Sequence, residues 1–222
     1  TYEAADPILT LYEGNRRRQI EDGAAPERTS VVPNGIDVDR FATLRAQRPQ
    51  RPPPILGLIG RVVPIKDVKT FLRAMRIVAS RLPEAEGWVI GPTDEDRDYH
   101  RQCEELTASL ELQGRVRFWG MQRLDEMLPR LGLQLLTSIS EAMPLVLLEG
   151  FASGLPAVAT DVGACRELIE GGGEADRRLG PSGICTRVAN PAGTAAALCA
   201  LAKHPEMRAA MGRAALARVT AR

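Results

Sequence analysis

Glu141 and Glu149 bracket the segment Ser138-Ile139-Ser140-Glu141-Ala142-Met143-Pro144-Leu145-Val146-Leu147-Leu148-Glu149. Pro144 fits the first position of a helix, which leaves Glu141 in the preceding loop and Glu149 more than a turn inside. Glu149 interrupts an apolar face, Leu145 to Leu148 before it and Phe151-Ala152 after it. An unpaired carboxylate there is costly, so a hydrogen-bonding partner is expected. Vicinal hydroxyls, as on a ribose, suit a carboxylate because each donates to one oxygen, and Glu141 can serve a pyranose in the same way. The alternative is a helix-capping Glu141 and a Glu149 paired with a nearby arginine.

A second constellation is Gly60-Arg61-Val62-Val63-Pro64-Ile65-Lys66-Asp67. A glycine turn, two cations and the start of a helix read as an anion site. The side chains dominate it. A helix terminus contributes ~0.3–1 kcal/mol, against ~4 kcal/mol for a charge pair at ~4 Å and an effective dielectric of about 20, before desolvation. The competing reading has Arg61 and Lys66 solvated and paired with Asp67 or Glu84.

These groups need a scaffold, and the pattern supplies one. Short apolar runs at 55–60, 87–91, 116–119, 133–137, 157–160 and 183–186 read as strands, interleaved with helical patterns at 67–81, 94–110, 124–131 and 144–152. Continuously apolar strands alternating with helices predict a Rossmann-like α/β fold, a parallel sheet of about six strands with helices on both faces. Ligands in such sheets sit beyond the carboxyl ends of the strands, which is where Gly60, Gly91, Gly120 and the 138–141 loop fall. Ahead of the sheet, Asp6-Pro7 reads as the cap and first turn of a helix running to Gly23, Ser30 to Pro33 as a short strand, and Asn34-Gly35 as a turn. Residues 46–54 read as a surface connection. The division is a lead-in over 1–52 and a Rossmann-like domain over 53–222. The chain opens without methionine and stops within an unfinished helical pattern, so it reads as a piece of a longer protein.

At 222 residues, 44% apolar and 26% charged, the composition is globular and excludes a mainly disordered chain. A net charge of +1 gives no long-range field for nucleic acid, which is not expected as a partner. Cys103, Cys165, Cys185 and Cys199 show no metal-ligand spacing and suit reduced thiols; with no membrane span or signal pattern, a cytoplasmic protein is expected. Asp37-Val38-Asp39 and Asp94-Glu95-Asp96 are read as turn and helix-start acids, so no metal and no cofactor are expected. His100 and His204 read as surface residues, and Gly171-Gly172-Gly173 as a flexible loop.

The stretch from Glu141 to Glu149 resembles the E-x7-E motif of the family-4 retaining glycosyltransferases, which have the two-domain GT-B fold. Val32-Pro33-Asn34-Gly35-Ile36-Asp37 is similar to the lead-in of their C-terminal half, Gly60-Arg61 with Lys66 to their diphosphate clamp, and Gly154-Leu155-Pro156 with Asp161-Val162-Gly163 to segments after the acids. Within the family, the stretches 11–18 and 160–169 resemble the glycosyltransferases of Pel exopolysaccharide synthesis. The resemblance implies a hexosyltransferase that takes a nucleotide-diphosphate sugar, UDP-glucose on this likeness, and passes it to a polysaccharide with retention, in a possible membrane-associated synthase complex. Arg61 and Lys66 would hold the diphosphate at Gly60, Glu141 would contact the sugar, and Glu149 the ribose. Met143 and the N–H groups of Leu145 and Val146 would line the sugar or phosphate, and Gly91 and Met121 the base. Two departures are Pro144, which lacks an N–H where many relatives have glycine, and Ala164, where a further glycine is frequent. The acceptor site would lie in a preceding domain, so this chain alone is expected to be inactive. The alternatives are a non-catalytic nucleotide-binding module or another GT-B enzyme such as a sugar epimerase. A phosphorylase would need a pyridoxal lysine, and only Lys66, Lys69 and Lys203 are present.

Overall fold

The computed structural model describes residues 2–49 and 52–221. In chain order the elements are β1 (Ile8–Thr10), α1 (Glu13–Glu21), β2 (Thr29–Val31), α2 (Val38–Ala46), β3 (Ile55–Ile59), α3 (Val68–Arg81), β4 (Glu86–Ile90), α4 (Arg97–Ser109), β5 (Val116–Gly120) and α5 (Leu124–Met127). There follow β6 (Leu133–Leu136), α6 (Leu145–Ala152), β7 (Ala157–Thr160), α7 (Cys165–Glu170), α8 (Glu174–Arg177), β8 (Gly183–Thr186), α9 (Pro191–Lys203) and α10 (Pro205–Thr220). Strands β3 to β8 form one sheet in the order β5-β4-β3-β6-β7-β8, parallel at every pairing. The expected six-stranded α/β architecture is what the chain adopts.

The sheet is covered on both faces, which is why its strands are apolar without alternation. On one face α3, α4 and α9 pack Val68, Phe71, Leu72, Met75, Tyr99, Cys103 and Leu198 against Leu56, Leu58 and Val89. On the other, α2, α6, α7 and α10 pack Phe41, Leu147, Phe151, Leu168 and Val219 against Trp88, Ile90, Leu136 and Ala159. Helix α3 shows the local logic. Val68, Phe71, Leu72, Met75 and Val78 fall at helical intervals and are all buried, each contributing about 1.5–3 kcal/mol. Asp67 caps it by accepting from the Thr70 amide at 3.2 Å.

The lead-in differs from expectation. Ile8 to Thr10 is a strand, not helix, and pairs parallel with Thr29 to Val31 in a separate two-stranded sheet. Ile8 and Thr10 are buried while Leu9 is exposed, a period of two that outweighs the helical spacing of Ile8, Leu11 and Tyr12. The helix begins only at Glu13, so Asp6-Pro7 does not cap it. Asn34-Gly35 lies in irregular chain with no turn, and the Asn34 Nδ2 donates to the Met143 carbonyl at 2.9 Å. The expected connection from 46 includes the end of α2, and its residues 50 and 51 lie outside the described residues. Asp37 and Asp96 cap α2 and α4 through the amides of Arg40 and Tyr99, so Asp94 precedes the helix it was expected to start. His100, expected at the surface, is partly buried with its ring 5.2 Å from Phe118; His204 is exposed. Among the described residues no helix is long and apolar enough to cross a membrane.

Candidate functional site

Three adjacent strands end in glycines at one end of the sheet. The Gly60 amide donates to the Ile90 carbonyl at 2.8 Å, and the Gly91 amide to the Gly120 carbonyl at 2.9 Å. Gly91 has φ +145°, and a Cβ there would stand 2.2 Å from the Gly60 oxygen, so the backbones themselves form a floor that no other residue permits. Met121 follows that floor and is 73% exposed.

Beside it, the loop after β3 and the loop after β6 are bolted together. The Thr137 hydroxyl donates to the carbonyls of Lys66 and Asp67, each at 3.0 Å, and the Ile139 amide donates to the Ile65 carbonyl at 2.8 Å. This brings Lys66 Nζ to 2.5 Å from Glu141 Oε1, with the two side chains 22% and 12% exposed. Ser138 Oγ donates to the same oxygen at 2.6 Å, giving the carboxylate a second tether. Beneath, the Thr160 hydroxyl holds the Ser138 carbonyl at 2.6 Å and the Ala164 amide holds the Ala142 carbonyl at 2.8 Å. Gly163 has φ +54°, and a Cβ on it would meet the Glu141 carbonyl at 2.1 Å. Ala164 is wholly buried under this loop.

Pro144 is the N-cap of α6 with extended backbone, not its first helical residue, so the helix starts at Leu145. Proline offers no capping oxygen. The amides of Leu145 and Val146 therefore meet no protein acceptor among the described residues, and they point out of a helix start beside the glutamate loop. Leu145 is 47% exposed, whereas Met143 is buried and offers its carbonyl to Asn34.

Glu149 is half-buried on α6; its carbonyl accepts from Ser153, but its carboxylate has no hydrogen bond or ion pair among the described residues. Burial pushes its carboxyl above the usual range, Arg40 pulls it back, and Asp125 adds to the rise. Arg40 is already committed to Asp125 at 2.8 Å, so the pairing of Glu149 with an arginine is not what the chain does. Arg61 is exposed and paired with Glu95 at 2.6 Å, neither with Asp67 nor with Glu84. The structure thus joins Lys66 to Glu141 and Gly60 to Gly91. It sets Glu149 apart, among α2 and α5. Thr137, Ser138 and Thr160 are supports to which motif reading gave no role; the signal was hydroxyls at the ends of the apolar strands β6 and β7.

Burial raises the thiols of Cys103 to about 11 and of Cys165 and Cys185 to about 12, so these cysteines are protonated and are not nucleophiles at neutral pH. The glycosyl transferases group 1 model matches residues 53–204, which contain Gly60, Arg61, Lys66, Gly91, Met121, Glu141 and Glu149. The chain belongs to this family. D-inositol 3-phosphate glycosyltransferase of Geodermatophilus obscurus is 31% identical to this group 1 chain over 221 residues, covering 92% of it and 47% of that protein. The Streptomyces scabiei enzyme of the same name is 28% identical, covering 98% and 48%. The chain spans about half the length of the curated relatives it matches. Among solved structures, Anabaena HepE in complex with UDP and glucose has TM-score 0.83 at 21% identity, covering 100% of this chain and 60% of that one. Sucrose-phosphate synthase from Thermosynechococcus elongatus has TM-score 0.80 at 23%, covering 99% and 55%. The fold is that of the GT-B glycosyltransferases.

Proposed function

We propose that this chain is the donor-binding part of a retaining hexosyltransferase of family-4 type that takes UDP-glucose. The observation that carries this reading is the Lys66–Glu141 pair, drawn from residues far apart in sequence, beside the open amides of α6. A nucleotide-diphosphate sugar presents a dianionic diphosphate, a ring of hydroxyls and a ribose diol. Lys66, joined by Arg61 once it leaves Glu95, takes the diphosphate and stabilises the charge released when the sugar–phosphate bond breaks. Glu141, steadied by Ser138, accepts from the sugar hydroxyls, and the amides of Leu145 and Val146 donate to sugar or phosphate oxygens. Glu149, half-buried with no partner for its carboxylate among the described residues, accepts from the ribose. The Gly60–Gly91 floor and Met121 take the base. Neither acid is proposed as a proton shuttle.

A polysaccharide acceptor, as in Pel-type exopolysaccharide synthesis on the cytoplasmic side, is proposed to enter through a further domain. The HepE structure with UDP-glucose bound, with TM-score 0.83, supports the donor assignment by likeness alone. Titration calorimetry of UDP-, GDP- and ADP-sugars against the chain and its Glu149→Ala variant tests the reading. UDP-glucose is expected to bind best and to weaken about tenfold on loss of the ribose contact. UDP binding that ignores the substitution removes the ribose role, and no nucleotide-sugar binding at all removes the function.

A further inference from the structure

At the opposite, amino end of the sheet, a groove runs between the end of α2, the turn after α6 and the first turns of α10. It consists of two adjoining cavities of about 180 and 240 Å³ that share Arg48, Gly154 and Ala209. Arg208 lines the first, Arg45 and Arg213 the second. None of these four arginines has a carboxylate within 4 Å among the described residues; other arginines are unpaired too, but these four line one continuous groove. Arg48 and Arg208 are partly buried, and the nearest help for Arg48 is the Leu128 carbonyl at 3.4 Å. Burial, and then the charge of Arg208, bring Arg48 down to about 10. Burial likewise lowers Arg208. Guanidinium groups stay charged at neutral pH, so two like charges are held together, partly out of water, with donors unfilled.

We propose that this groove binds a phosphate group carried by a small soluble ligand, gripped by Arg48 and Arg208 with Arg45 and Arg213 at its rim. Planar forks on two elements match the several oxygens of a phosphate, and an anion between them relieves their repulsion. The cavity at Arg208, about 180 Å³, has room for a phosphate with a few attached atoms. The site is remote from the glycine floor and independent of the donor assignment.

Calorimetric titration of inorganic phosphate and glycerol 3-phosphate at constant ionic strength, with thermal melts in the same buffers, tests it on the 222-residue chain. Both probes are expected to bind and to raise the melting temperature. Arg48→Gln and Arg208→Gln are each expected to weaken binding about tenfold and to lose the shift. Should neither variant fold, Arg213→Gln on the exposed rim is read instead, with a smaller loss expected. Absent binding, or affinity unchanged by the substitutions, overturns the proposal. Sedimentation with phosphatidylglycerol vesicles in the absence of any response to the soluble probes also overturns it, assigning the arginines to a lipid surface.

Discussion

Replacing Arg218 by methionine is expected to destabilise the chain by about 3–4 kcal/mol. Arg218 is wholly buried in α10, yet its guanidinium reaches α7, α8 and the loop before β8. Nε donates to Asp176 Oδ1 at 2.5 Å; Nη1 to the Ile169 carbonyl at 2.9 Å and to Ser182 Oγ; Nη2 to the carbonyls of Gly180 at 2.8 Å and Asp176 at 3.0 Å. Breaking a buried pair from one side typically costs about 3–5 kcal/mol because a charge is stranded. Two observations argue for the lower part of that range. Asp176 keeps 21% side-chain exposure and still accepts from the Gly172 amide, and the Ile169 carbonyl retains the Ser182 amide as donor. Methionine also recovers some apolar contact. Urea unfolding at neutral pH reads the loss directly, and the melting temperature should fall by about 10 °C for a chain of this length. Asp176→Asn in the same background should then add little, since the partner it serves is gone. A loss under about 1 kcal/mol, or full additivity of the two substitutions, would refute the view that this guanidinium fixes α10 to the sheet edge.

Other outcomes follow from the site. Gly163→Ala forces a Cβ into the Glu141 and Ala142 carbonyls at positive φ, so UDP-glucose affinity should drop by at least about tenfold with about 1–3 kcal/mol of lost stability; unchanged calorimetry counts against the support role. Glu149 has its folded pKa raised above the ordinary 4.5, so its burial penalty is absent below that pH and grows as pH rises through the folded value. Glu149→Gln should therefore gain stability relative to wild type at pH 7 and not at pH 4, by urea unfolding. On the proposed ribose role, UDP binding should release protons in buffers of differing ionisation enthalpy near that folded value, and the variant should release none. Given UDP-glucose and an oligosaccharide acceptor, the 222-residue chain should bind donor without forming product; sustained transfer by chromatographic assay would overturn that expectation.

The large sheet was legible because burial on both faces leaves strands with no polar alternation, and each such run from Ile55 onward is a strand to within about a residue or two. Strand β1 was not, since Ile8, Leu11 and Tyr12 fit a helix equally well and only pairing with Thr29 to Val31 decides between them. Asn34-Gly35 was not legible either: the local turn preference is unmet, and the Asn34 side chain bonds to the Met143 carbonyl, over a hundred residues on. In the site, the residue types of Lys66, Glu141 and Glu149 could be read from the chain, but their partners could not. That Lys66 would meet Glu141, and Arg61 would meet Glu95, depends on how the loops after β3, β4 and β6 converge. Pro144 was placed one position too far into α6, an error that mattered because a capping proline leaves the next amides open.

The apolar layer beneath α6 draws Phe41 and Leu44 from near one end of the sequence and Ala215 and Val219 from near the other. Neighbours so distant along the chain must be brought together against a large loop-closure entropy, which slows folding and favours late consolidation. During synthesis, the helix that carries Glu149 and the open amides emerges well before α10 exists to cover its flank. Until α10 docks, the face around Leu147 and Phe151 is an exposed greasy surface, and so a target for chaperones and for self-association. The end of the sheet that carries α6 is thus built early and secured last.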